Sequence, residues 1–401
     1  MADRIPFTEL LCAIVDNRGR SCPTAETGIP LIATNCIRND LLYPAFDNIR
    51  FVSEETYHTW FRGHPLPGDF IFVCKGSPGR VCLAPDPVGF CIAQDMVAVR
   101  ADPKKVYPKF LFASLRSAGV QEQISNMHVG TLKPHLKKGD FDKLLFDIPD
   151  EATQRRVGDI YFELSMKIDL NRRMNETLEE LARALFKSWF VDFDPVKAKA
   201  EGRQPVGMDA ETAALFPSRF VESKLGRIPE GWTATNWGGI STLEYGKRLI
   251  AGTSGSTPVF GTSGQLGWAE VEPLCSEPGI VVGRKGAYRG IHFSDSPFFV
   301  IDTAFYVKRR DRLSYRWAYY ALRQHNINSI DGGSAIPSTS RAAFYALRVV
   351  QAPESIQMRF TEVLKPAWAR QVANQKEAST LAQLRDLLLQ AHVRRAPRPQ
   401  R

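Results

Sequence analysis

The sequence predicts an α+β protein in which two duplicated globular α/β domains are separated by two long, antiparallel, coiled-coil-like helices. Three observations lead there. The run Asn171-x6-Leu178-x2-Leu181-x3-Leu185 recurs as Asn374-x6-Leu381-x2-Leu384-x3-Leu388, about 203 positions later in the same register, so a half-length unit is duplicated. Each copy lies in a stretch nearly free of Pro and Gly and far longer than an ordinary helix. Short β-rich runs that end in Gly turns precede each stretch, as expected of a globular domain upstream of its helix.

The repeat can be followed element by element. Ile29-Pro30-Leu31-Ile32 and Thr257-Pro258-Val259-Phe260 are matched entry strands. Phe70-Ile71-Phe72-Val73 leads into Lys75-Gly76-Ser77-Pro78-Gly79-Arg80, and Gly279-Ile280-Val281-Val282 leads into Lys285-Gly286-Ala287-Tyr288-Arg289-Gly290. Asp95 falls opposite Asp302, Ser114-Leu115-Arg116 opposite Ala321-Leu322-Arg323, and Phe141-x2-Leu144 opposite Phe344-x2-Leu347. The offset drifts from about 228 to about 203 across these anchors, and length changes of that size belong in surface loops.

The helices open on Pro149-Asp150-Glu151-x2-Gln154-x-Arg156 and Pro353-Glu354-x2-Gln357-x-Arg359. In each, a Pro cannot extend the helix backwards and an acid in the first turn suits the dipole. From about Glu151 to Phe190 only Gly158 interrupts, and at 1.5 Å per residue such a helix runs roughly 60 Å. It needs a partner of comparable length. The expected seam joins Val157, Ile160, Leu164, Met174, Leu178, Leu181 and Leu185 to Phe360, Val363, Leu381, Leu384 and Leu388. Asn171 and Asn374 either lie in that seam and set register, or lie exposed as inherited copies. Pro366 removes one backbone hydrogen bond and is expected to kink the second helix. Expected boundaries are 1–149 for the first domain, 150–191 for the central helix and 192–228 for a linker. The second domain then covers 229–353, the distal helix 354–393, and 394–401 a disordered basic tail.

Composition sets limits on function. At 401 residues the chain exceeds one ordinary domain, and it has no apolar run of about 18 residues to cross a membrane and no signal-peptide order at Met1-Ala2-Asp3-Arg4. A cytoplasmic location is expected. Seven cysteines without a CxxC pair argue against a disulfide framework and a zinc site. A formal charge of +9 suits a polyanion, because neutralised phosphates release counterions. Familiar catalytic signatures are missing: Glu244-Tyr245-Gly246-Lys247-Arg248 lacks the first Gly and the hydroxyl residue of a phosphate loop, and GxGxxG, HExxH and GxSxG do not occur.

Lys75, Arg80, Arg284, Lys285 and Arg289 sit in the paired Gly turns, where they would contact phosphates or, on the plainer reading, decorate solvated hairpins. The loop with Lys133, His135, Lys137 and Lys138 falls opposite the one with Ser338 and Arg341. The two loops differ in chemistry while their flanks agree, as two domains reading different ligands on one scaffold would show.

In their order, these features resemble the specificity (S) subunit of type I restriction-modification systems. The resemblance rests on Gly68-Asp69-Phe70-Ile71 leading into Lys75-Gly76-x2-Gly79-Arg80, and on Gly130-Thr131-x-Lys133 before Phe146-x-Ile148-Pro149. It rests also on Leu185-Phe186-Lys187-Ser188-Trp189-Phe190, and on Phe193-Asp194-Pro195 through Leu225-Gly226-x-Ile228-Pro229-x-Gly231-Trp232. It covers nearly the whole chain and implies two target-recognition domains, each reading one half of a bipartite double-stranded DNA site. It also implies that the helices dock two methyltransferase subunits and, through them, restriction motor-nuclease subunits. S-adenosylmethionine, ATP and magnesium would reside on those partners, and this chain would be non-catalytic. No second Ser-Trp-Phe follows Leu388, so the two docking ends are not expected to be identical. The alternatives are a protein-interaction adaptor with a coiled-coil core, or a standalone enzyme with an unfamiliar site.

Overall fold

The computed structural model describes residues 4–17, 19–127, 134–249, 255–310, 313–330 and 337–392. Lys133, the Gly130-Thr131 pair and the basic tail lie outside the described residues. The chain divides into two compact units, Met1–Asn175 with Val372–Arg401, and Glu176–Gln371.

The first unit is built on a four-stranded antiparallel sheet in the order Leu11–Val15, Met96–Ala101, Phe70–Val73, Val81–Leu83. A three-stranded sheet, Arg50–Val52, Ile29–Ile32, Cys91–Ile92, and the pair Arg4–Pro6 with Leu145–Asp147 complete it. The second unit repeats the plan: Ser241–Tyr245, Ala304–Arg309, Gly279–Gly283, Ile291–Ser294 in one sheet; Gly264–Ala269, Thr257–Gly261, Phe299–Val300 in another; and Thr233–Asn236 paired with Arg348–Gln351. The matched entry strands are both central in their three-stranded sheets. Phe70, Ile71, Phe72 and Val73 are all buried, as are Gly279 to Gly283, which is why these runs are continuously apolar rather than alternating.

The helix openings are duplicated to the hydrogen bond. Gln154 Oε1 accepts from Tyr107 N at 2.8 Å while its Nε2 donates to Pro149 O at 2.8 Å. Gln357 does the same with Ser314 N at 3.1 Å and Ala352 O at 2.7 Å. Each Gln ties its long helix to the start of the domain helix behind it, Pro108–Leu115 or Tyr315–Leu322. Gly158 marks a close approach in the first unit, for a Cβ there would stand 2.7 Å from Phe110 N.

The long helices run Glu151–Phe190 and Glu354–His392. In the first unit Arg385 lies over the Tyr161 ring at 5.5 Å, and Asn171 Nδ2 donates to Glu377 Oε2 at 2.9 Å. The numbering of one helix rises as the other falls, so the pairing is antiparallel. In the second unit Phe186 meets Phe360 at 5.7 Å, and the Glu179 to Tyr320 to Trp368 hydrogen-bond chain keeps the same direction. Asn171 and Asn374 are both buried, and Asn374 Nδ2 donates to Asn175 Oδ1 at 2.8 Å, which settles their open position in favour of the seam.

The seam differs from the expected leucines. Leu181 is 55% exposed and Leu384 51% exposed, and Ile160 and Val363 also face outward, while Ala182 is buried. Leu164, Leu178 and Leu381 are half-buried, Leu185 packs on the second unit's core and Leu388 on the first's. A straight helix drifts about 20° per heptad, so from Leu178 a step of four reaches inward to Ala182 where a step of three turns Leu181 outward. The second helix is continuous through Pro366, which is exposed, so water can satisfy the carbonyl that loses its N–H partner.

Residues 192–228, expected as a linker, carry the helices Asp194–Ala200 and Ala210–Leu215 and the hairpin Phe220–Ser223 with Gly226–Pro229. Val196, Phe216 and Ile228 are buried, the first two in the second unit's aromatic core beside Trp189, Phe190 and Trp232. One pairing from the sequence also moves. The counterpart of Asp95 is Thr303, not Asp302: Asp95 O accepts from Cys74 N and Lys75 N, and Thr303 O accepts from Arg284 N and Lys285 N.

Candidate nucleic-acid interface

Both units use one backbone frame to hold a basic turn. In the first, Gly76 N donates to Pro134 O at 2.9 Å, Leu136 N to Cys74 O at 2.9 Å, and Lys75 is bridged to His135. In the second, Gly286 N donates to Pro337 O at 3.0 Å, Thr339 N to Arg284 O at 2.8 Å, and Lys285 is bridged to Ser338. Gly76 and Gly286 have φ of 86° and 117°, left-handed conformations that a side chain would strain. The turn and the loop that the sequence treated as separate motifs are thus one structure in each unit.

In the first unit this frame closes one wall of a cleft of about 580 Å³. Lys75, His135, Lys137 and Lys138 all line it. Arg20, Arg62 and Gln94, which carry no sequence signal of their own, join them, and the cations outnumber Asp16 and Asp95. Lys138 is ion-paired with Asp16. Gln94 Nε2 reaches Ser21 Oγ at 3.3 Å, leaving its amide oxygen as an acceptor. Cys74 at the base is no nucleophile, because burial pushes its thiol up to about 12, Asp16 adding to the effect. Arg80 is exposed on the same turn but does not line the cleft.

The second unit presents different chemistry on the same frame. Tyr245 occupies the place of Asp16, at the end of the equivalent strand, and the guanidiniums of Arg284 and Arg341 lie over its ring at 4.7 and 5.3 Å. Arg341 Nη2 also donates to the Tyr345 hydroxyl at 3.0 Å, and that hydroxyl accepts from Leu243 N at 2.9 Å. Lys285 is exposed, and Tyr288 at the tip of the turn is 86% exposed. Tyr288 and Tyr245 were not selected from the sequence, although Tyr245 heads the basic run Gly246-Lys247-Arg248.

Arg289 requires a correction. It is 4% exposed, and its Nη2 donates to Asn328 O at 3.1 Å and Ile330 O at 3.1 Å. A guanidinium committed to buried carbonyls has no free face for a phosphate, so Arg289 fastens the turn to Ile327–Ser329 instead. Among the described residues no group of three or more His, Cys, Asp or Glu could hold a metal ion, and no helix is long and apolar enough to cross a membrane.

Parts of the chain are similar to known proteins. Residues 20–180 match the family model of the type I restriction modification DNA specificity domain. The matched stretch is less than half of the chain. It is 35% identical over 172 residues to the HindI specificity subunit of Haemophilus influenzae, a match covering 42% of this chain and 36% of that one. It is 21% identical over 339 residues to the MjaIX specificity subunit of Methanocaldococcus jannaschii, covering 76% of this chain and 74% of that one. The crystal structure of the type I S subunit from M. genitalium shares the fold, with a TM-score of 0.61 at 16% identity over 98% of this chain and 96% of that one. The family model stops at residue 180, and the second repeat is tied to the first by its matching strand orders and hydrogen-bond frame.

Proposed function

We propose that this chain is the sequence-specific DNA-recognition subunit of a type I restriction-modification complex. Each unit reads one half of a bipartite double-stranded target, with exposed lysines of the turns on phosphates and the variable side chains beside them on base edges. Two methyltransferase subunits dock on the long helices and restriction motor-nuclease subunits join through them. Those partners carry S-adenosylmethionine, ATP and magnesium, and this chain performs no chemistry of its own.

The observation that carries the proposal is one hydrogen-bonded frame used twice with unlike chemistry. Gly76–Pro134 and Gly286–Pro337 hold the same turn, yet one presents a cleft of lysines with Asp16 and the other Tyr245 with two arginines over its ring. A scaffold kept constant while its ligand-facing side chains change is what two half-site readers require.

Methylome sequencing of cells expressing the chain with its methyltransferase partner tests it. The expected result is one bipartite motif with a fixed unread spacer. Replacing residues 133–138 should change one half of that motif and leave the other intact. Methylation without sequence preference, or equal weakening of both halves, would sink the proposal.

A further inference from the structure

The register of the repeat sets Gln94 against Asp302. Each directly precedes the carbonyl that holds its turn: Asp95 O accepts from Cys74 N and Lys75 N, and Thr303 O from Arg284 N and Lys285 N. Just before them, Ala93 N donates to Ile32 O and Ile301 N to Phe260 O, both at 2.9 Å, so the two positions leave their sheets alike. One frame thus presents an amide in the first unit and a carboxylate in the second.

Neither group is used up within the protein. Gln94 lines the basic cleft, and one Nε2 proton goes to Ser21 Oγ at 3.3 Å. That bond orients the amide and leaves Oε1 and the second N–H free. Asn17, 4% exposed, lines the same cleft; its Nδ2 donates to Ile92 O at 3.2 Å, and among the described residues its buried Oδ1 has no partner. The cleft therefore holds two amide oxygens without a protein donor. Asp302 is exposed, and Arg284 Nη1 reaches only its backbone oxygen, at 3.0 Å. Unlike Asp16, it has no ion pair among the described residues.

Idle acceptors select the part of DNA that they can meet. The phosphodiester backbone offers no hydrogen-bond donor and repels a carboxylate, so the donors open to the grooves are the amino groups of the bases. An amide with an acceptor and a donor together matches N6 and N7 of adenine in the major groove. A carboxylate, which only accepts, matches N4 of cytosine.

We propose that Gln94 reads an adenine in the first half-site and that Asp302 reads a cytosine in the second. This rests on the DNA-recognition function proposed above and goes beyond it by assigning a base to one matched position in each unit.

The test is selection from duplexes with both half-sites randomised, using the full chain in complex with its methyltransferase partner. Gln94→Ala should lower the preference for one A·T pair of the first half by roughly 5- to 150-fold and leave the second half as it was. Asp302→Ala should do the same at one C·G pair of the second half. Gln94→Glu, which keeps the shape but loses the donor, should move the preference at that position from adenine to cytosine. For either residue, an unchanged motif, relaxation at a different kind of base pair, or loss spread evenly over a half overturns its assignment while recognition by the wild type stands. A wild-type complex that selects no motif overturns recognition itself and the assignments with it. If Gln94→Ala does not assemble, Gln94→Glu decides, since it must lose the adenine preference.

Discussion

The first unit answers its position 16 with charge, and the second answers the same position with a ring. Asp16 is ion-paired with Lys138, whereas Tyr245 receives the guanidiniums of Arg284 and Arg341 on its face. The strands beneath, the turn and its backbone hydrogen bonds are alike in both. The difference teaches that duplication preserved what positions side chains and released what they are. Aspartate can accept hydrogen bonds but repels phosphate, so it needs Lys138 to be tolerated in a basic cleft. Tyr245 carries no charge, so it can sit among cations, which its ring face attracts, without repelling a phosphate.

The strongest way to break this symmetry is to attack the clamp that only the second turn has. Arg289→Ala would strip the Asn328 and Ile330 carbonyls of their donor, at a cost of about 1–3 kcal/mol by chemical denaturation. Arg80→Ala, at the exposed end of the first turn, should cost less than about 0.5 kcal/mol. Equal losses would mean that the turns are fastened alike.

Next in size is the exchange of readers. Tyr245→Ala should weaken DNA binding by about 1–3 kcal/mol, the range for losing one base-edge contact, and relax only the second half of the recognised motif. Asp16→Ala should relax only the first. Binding selections on randomised half-sites would show this, and a change in the wrong half would refute the correspondence. A gentler comparison uses Lys75→Ala and Lys285→Ala. Each should lower the slope of log K against log salt by about 1, because each removes one phosphate contact from the same frame.

The smallest effect concerns protons. Burial holds His325 below the ordinary imidazole value, and its ring nitrogen accepts from Trp237 Nε1 at 3.4 Å. Below about pH 6.5 the unfolded chain takes up a proton that the folded ring refuses, so this contribution to stability is lost as pH falls through that value. His325→Gln should flatten the acid side of the stability profile measured by urea unfolding between pH 7.5 and 5.5. An unchanged profile would show that His325 is not the responsible group.

Much of this was legible in the sequence because duplication writes everything twice. The entry strands, the glutamines that open the helices and the paired Gly turns were all visible as repeated spacings, and the structure gives each the same partners in both units. Leu181 and Leu384 misled because a leucine heptad suggests a seam, whereas the helices close on small residues such as Ala182. Arg289 misled because a basic residue in a Gly turn looks solvated, and only its contacts with a segment about 38 positions away reveal a clamp. Tyr245 was missed for a related reason. A lone aromatic has no period, and its meaning comes from Arg341, far along the chain.

The long helices are each divided between the units, and this has a consequence for synthesis. The second unit, Glu176–Gln371, is one uninterrupted stretch, but the first is closed by residues from Val372 onward, with Leu389 buried in its core. On the ribosome the N-terminal unit must therefore wait for its last wall while nearly 200 residues are made, about 10–40 s at typical elongation rates. The part that emerges first is finished last. A premature stop within the final helix would injure the beginning of the protein more than its middle.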